Sequence, residues 1–94
     1  MTGPPAPPKH VSDRPFADPA IAMTRILQLT YALERETDDG RIPLGPIKLT
    51  LLGEGASAAE LWAGVGLAIF QGYMQMHASG SYVVLTDKSL DTLV

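Results

Sequence analysis

Ninety-four residues with a formal net charge of −3 and an ordinary apolar fraction leave room for one modest core, and exclude both a polycation and a disordered acidic chain. The chain has no cysteine, which removes disulfides, thiolate zinc sites and cysteine nucleophiles together, and its two histidines, His10 and His77, are too few for a metal centre. The longest apolar run, Leu61 to Phe70, contains two glycines and falls short of the ~20 residues that cross a bilayer, so no membrane contact is expected.

Residues 1–16 carry five of the eight prolines, Pro15 included, and little to bury, which predicts an extended tail. Pro4, Pro5, Pro7 and Pro8 would also suit a PxxP ligand for an aromatic groove, but a plain disordered terminus is the favoured account. Nothing in MTGPPAPPKH has the basic stretch and apolar run of a secretory signal, so the expected location is the cytoplasm. Residues 17–94 are expected to form a single domain.

The first helix is announced by Asp18, whose carboxylate can accept from the free amides of the first turn, and by Pro19, which sits where a missing N–H costs nothing. Ala22, Ile26, Leu29 and Leu33 recur at helical spacing, flanked by Met23 and Thr30, while Arg25, Gln28 and Arg35 point elsewhere. Asp38-Asp39-Gly40 is expected to end it. Those two aspartates lack the spaced carboxylates of a calcium loop, so a solvated helix end is the better account.

Residues 47–52 read two ways. Ile47, Leu49 and Leu51 alternate as in a strand, yet Gly45, Pro46 at a first helical position and Gly53 beyond the last turn suit a short helix, which is favoured. The strand version would turn Gly53-Glu54-Gly55-Ala56-Ser57-Ala58 into a dinucleotide-binding turn, but too little chain follows for the rest of a βαβ sheet.

Ser57-Ala58-Ala59-Glu60 is a capping box and opens a second long helix, through Leu61, Trp62, Val65, Leu67, Ala68, Ile69 and Phe70 to a stop at Gly72. Its one charge is Glu60, and so apolar a helix has to be covered on most sides. In a small domain the default place for Trp62 and Phe70 is the core. Gly64, Ala68 and Gly72, spaced by four, allow either close approach of a neighbouring helix or crowding by a sheet. Residues 73–77 and 81–86 then read as a hairpin around Ala78-Ser79-Gly80, with Asp87 capping a last turn and Leu90 and Leu93 closing the core.

The order is helix, short extended piece, short helix, long helix, hairpin, terminal turn. With Gly72-Tyr73-Met74 and the Gly-x-Tyr-x-x-Leu-Thr-x-Lys pattern of residues 80–88, it resembles winged helix-turn-helix proteins, including multiple-antibiotic-resistance-type regulators, over about residues 41–90. Ser89 stands where that pattern often has glycine. The chain is also similar to small uncharacterised proteobacterial winged-helix proteins. The resemblance implies an α+β, winged-helix-like fold of three helices and a C-terminal β-hairpin, in which residues 57–71 would be the element laid in the major groove.

That element is poorly equipped for DNA. Ser57 and Gln71 are its only polar candidates apart from Glu60, no lysine or arginine lies between Gln71 and Thr86, and the nearest cations in sequence are Lys48 and Lys88. The seven basic residues are scattered and ten acids outnumber them. Winged helices also serve as interaction modules, and a helix with surplus apolar surface marks a partner site, so the expected function is protein contact, with self-association as a homodimer and Trp62, Phe70 and Tyr73 as anchors. A DNA-binding regulator is the alternative. No placing motif surrounds any serine, and His77 reads as a surface residue, so neither catalysis nor a cofactor is expected.

Overall fold

The structure is a computed structural model describing residues 15–88. Pro4, Pro5, Pro7 and Pro8, with Lys9, His10 and Arg14, and Ser89, Leu90 and Leu93 at the other end, lie outside the described residues.

Helix α1, Pro19–Glu34, starts where the capping chemistry puts it: Asp18 Oδ1 accepts from the Ala20 amide at 2.9 Å and Pro19 fills the first position. Ahead of it, residues 15–17 form a single 3-10 turn that buries Phe16 in the core. Phe16, read in the sequence as part of the tail, thus packs into the core, because a phenyl ring next to a capped helix is worth burying. Ala22, Ile26, Leu27 and Thr30 are buried, and Met23, Leu29 and Leu33 pack partly against them. The apolar face is thus broader than the predicted stripe and rotated towards Leu27, since α1 touches the 3-10 turn, both other helices and two strands.

The helix stops at Glu34, earlier than Asp38-Asp39-Gly40, because no apolar residue follows Leu33 and Thr37 competes for the backbone. The Thr37 hydroxyl donates to the Glu34 carbonyl at 3.0 Å and accepts from the Gly40 amide at 3.1 Å, turning the chain towards the sheet.

Strand β1 is only Ile42–Pro43, and α2, Leu44–Gly53, follows at once. The ambiguous segment is a helix, which rules out the dinucleotide-binding turn that a strand would have set up. Leu44, Ile47 and Leu51 at helical spacing enter the core while Leu49 is exposed. The helix begins one residue before Gly45, with Pro43 at the cap and Pro46 inside the first turn, where its missing N–H has no intrahelical partner to lose. The Leu44 amide donates instead to the Ser81 carbonyl at 3.2 Å, tying the helix start to the sheet.

Both later helices end in the same way. After α2 the Ala56 amide reaches back to the Leu51 carbonyl at 3.1 Å and the Gly55 amide to Leu52 at 3.1 Å; after α3, Ala58–Phe70, Tyr73 reaches Ala68 at 2.9 Å and Gly72 reaches Ile69 at 3.0 Å. This is the Schellman arrangement, and it requires the left-handed backbone found at Gly55 (φ +107°) and Gly72 (φ +84°). The stop after α2 is therefore Gly55, with Gly53 its last helical residue.

Strands β2, Met74–Met76, and β3, Tyr82–Leu85, form the expected antiparallel hairpin. β1 adds to its other side, pairing Ile42 with Val83, so the sheet order is β1-β3-β2. The fold is α+β and winged-helix-like: three helices against a small antiparallel sheet, joined by a core in which Ile26, Ile42, Ile47, Leu51, Leu61, Val65, Met74 and Val83 lose essentially all contact with solvent.

Candidate interaction surface on the third helix

The residues that decide which way α3 faces are the small ones. A Cβ placed on Gly64 would lie 2.8 Å from Ile26 Cδ1, 2.9 Å from Ala22 Cβ and 3.1 Å from the Ala22 carbonyl carbon, so α1 crosses α3 in contact with its backbone. Ala68, one turn on, is fully buried. Of the three small residues spaced by four, Gly64 and Ala68 serve close packing and Gly72 serves the turn. With Leu61, Gly64, Val65 and Ala68 inward, the helical period sends Ala59, Trp62, Ala63, Gly66, Ile69 and Phe70 outward.

That outer face holds no charged or hydrogen-bonding group except the Trp62 indole N–H. Phe70 is 85% exposed, Trp62 45% and Ile69 37%, so the default placement of the two aromatics in the core is overturned. Docking by Gly64 consumes the inner stripe and leaves them on the opposite side. Trp62, Gly66 and Phe70 fall on one i, i+4 row, and a Cβ built on Gly66 meets nothing within 4 Å. Tyr73 does not join them. It is half-buried against the core, with the Lys88 ammonium 5.1 Å from its ring centroid.

The residues considered for nucleic-acid contact are not brought together. Ser57 is committed to its capping box, accepting from the Glu60 amide at 3.1 Å while Glu60 accepts from the Ser57 amide at 2.9 Å. Gln71 stands roughly 20 Å along the helix from it. Lys88 does reach Gln71, donating to its backbone carbonyl at 2.7 Å, whereas Lys48 sits on α2.

Two other described cations, Arg25 and Arg41, are bound to carboxylates of the chain, while Arg35 is exposed just beyond the end of α1. Arg25 grips Glu54 with Nη2 at 2.6 Å and Nε at 2.9 Å, linking α1 to the end of α2, and Arg41 pairs more loosely with Asp39 at 3.7 Å. The hydrogen bond from Arg25 holds the Glu54 carboxyl below the usual range, helped by its positive charge and opposed by partial desolvation, and the same bond raises Arg25. A cluster of hydroxyls and imidazole lies on the hairpin, where His77 Nδ1 lies 2.9 Å from Ser79 Oγ and Ser79 Oγ lies 2.7 Å from Ser81 Oγ. The His77 ring stacks on Tyr82 with centroids 4.5 Å apart, and the Arg41 guanidinium lies 5.4 Å from the Tyr82 centroid. These local contacts stiffen an exposed loop.

A shallow apolar depression lies between Pro15, Phe16, Ile21 and Thr24, and the polar groups at its rim, Arg25 and Gln28, bond each other at 3.4 Å. Among the described residues no group of three or more acidic or histidine side chains could hold a metal, and no helix is long and apolar enough to cross a membrane. No family model, curated protein or solved structure matches the chain.

Sequence reasoning named Trp62 and Phe70 but missed Gly66 and Ile69 beside them. The signal was available: once Leu61, Val65 and Ala68 are taken as the inner stripe, residues 66, 69 and 70 fall opposite.

Proposed function

We propose that this chain works through protein contacts and self-associates as a homodimer through the outer face of α3. The observation that carries this reading is the exposure of Phe70, Trp62 and Ile69 on one uncharged side of a helix that carries no cation. A contiguous apolar patch of that kind loses free energy in water and gains it against another apolar surface. Phosphate binding would draw on cations along the helix, and none of the residues of α3 is one, although Lys88 reaches its C-terminal end at Gln71.

Sedimentation over a range of concentrations tests it. Self-association that rises with concentration and is lost in Phe70→Asp, with the far-ultraviolet circular dichroism of the parent retained, is the expected result. A parent that stays monomeric throughout would remove the proposal. Duplex DNA binding that weakens steeply as salt rises would replace it with the regulator reading.

A further inference from the structure

We infer that the two copies meet antiparallel, with Gly66 of each α3 at the crossing point and Trp62 of each lying against the partner's Phe70. This rests on the self-association reading and adds the geometry.

Gly66 is the unexplained residue. Glycine in a helix interior is disfavoured relative to alanine, so a helical glycine needs a reason. Gly64 has one in the backbone of α1, two residues away, but among the described residues nothing approaches Gly66. An outward glycine midway along an otherwise apolar face lets a second helix come close there, as Gly64 lets α1 come close on the inner side.

The occupant that fits is another α3. Trp62 and Phe70 stand one step of the i, i+4 row before and after Gly66, about 6 Å along the axis in each direction. A two-fold axis through Gly66 therefore brings the Trp62 of one copy level with the partner's Phe70 and leaves glycine facing glycine, so the row is its own complement.

Charge selects the direction. Glu60 lies about 9 Å before Gly66, and Gln71, whose carbonyl holds the Lys88 ammonium at 2.7 Å, lies about 7.5 Å after it. Antiparallel copies set each Glu60 level with the partner's Lys88, and the two helix dipoles oppose. Parallel copies would align the dipoles and bring no opposite charges level.

Because the chain has no native cysteine, introduced thiols report the geometry without background. Gly66→Cys is expected to form a disulfide-linked dimer under mild oxidation. Trp62→Cys alone and Phe70→Cys alone are not, because each thiol would lie about 12 Å along the axis from its own copy, beyond the ~7 Å Cα separation a disulfide spans. A mixture of those two variants is expected to link. Should Trp62→Cys lose the parental circular dichroism, Ala63→Cys mixed with Ile69→Cys asks the same question three residues either side of the crossing. A dimeric parent in which Phe70→Cys links to itself while Gly66→Cys and both mixtures do not would overturn the antiparallel crossing and leave self-association standing. A monomeric parent would overturn both.

Discussion

Gly64→Ala puts a methyl group where α1 already stands. The new carbon would meet Ile26 Cδ1 at 2.8 Å, Ala22 Cβ at 2.9 Å and the Ala22 carbonyl carbon at 3.1 Å. The Ile26 tip can swing aside, but Ala22 Cβ is fixed to its helix and its carbonyl carbon is backbone, so α1 has to retreat by several tenths of an ångström. Two effects compete. Helix propensity favours alanine over glycine by about 0.8–1 kcal/mol, and overpacking a filled core costs about 1–3 kcal/mol. The net expectation is a loss of up to about 2 kcal/mol, and each kcal/mol moves the melting temperature of a domain this size by about 4–8 °C. Thermal and urea denaturation at the lowest usable protein concentration read the effect on the single chain. Adding Ala22→Gly should recover part of the loss beyond additivity, since it removes one of the two rigid contacts. A melting temperature at or above the parent's would refute the reasoning, because propensity alone would then account for the site and α1 would not be pressed against α3.

Two further expectations concern the packing around that crossing. Glu54→Gln is expected to lower the melting temperature at neutral pH. Because the folded-state pKa of Glu54 is depressed by Arg25, its contribution is full above the ordinary glutamate value of about 4.3 and fades as pH falls through the lower folded value, so the gap between variant and parent should close in acid; a gap that persists there would refute the linkage. Thr30→Val should change stability by no more than about 1 kcal/mol in urea titrations, because the Thr30 hydroxyl donates only to the Ile26 carbonyl, at 2.6 Å, which the helix already supplies with a backbone donor. A loss above about 2 kcal/mol would show that the hydroxyl matters to the core.

Features written in neighbouring residues were legible in the sequence. Asp18 with Pro19, Ser57 with Glu60, and Gly72 each fix a helix end through groups within a few positions, and the hairpin was marked by its central Gly80 between two apolar runs. What escaped depends on distant partners. β1 exists because Ile42 pairs with Val83, forty-one residues on, and a two-residue strand has no pattern of its own. Residues 47–52 are helical because Ile47 and Leu51 find the core, which six letters could not settle against an alternating strand. The side on which α3 buries itself was the costliest uncertainty. Gly64 and Gly66 look alike in sequence, and only the docking of Ala22 on the first turns Trp62, Gly66 and Phe70 to the outside.

The exposure of those side chains also bounds how strongly two copies can hold each other. Fully burying a large apolar side chain contributes about 1.5–3 kcal/mol, so covering the exposed parts of Phe70, Trp62 and Ile69 in both copies gives on the order of 9 kcal/mol before costs. Lost rigid-body freedom takes back about 4 kcal/mol at the least. The remainder, at most about 5 kcal/mol, corresponds to a dissociation constant of about a tenth of a millimolar or weaker, so the helix face alone supports a dimer that forms and separates with concentration. Among the described residues, Leu49 on α2, 73% exposed, and Ile21 on α1, 46% exposed, are the large apolar side chains exposed outside that face. A dimer of micromolar strength or tighter would therefore require more surface than α3 offers, and Leu49→Ser or Ile21→Ser would then weaken it as Phe70→Asp does, whereas a weaker dimer confined to α3 should ignore both.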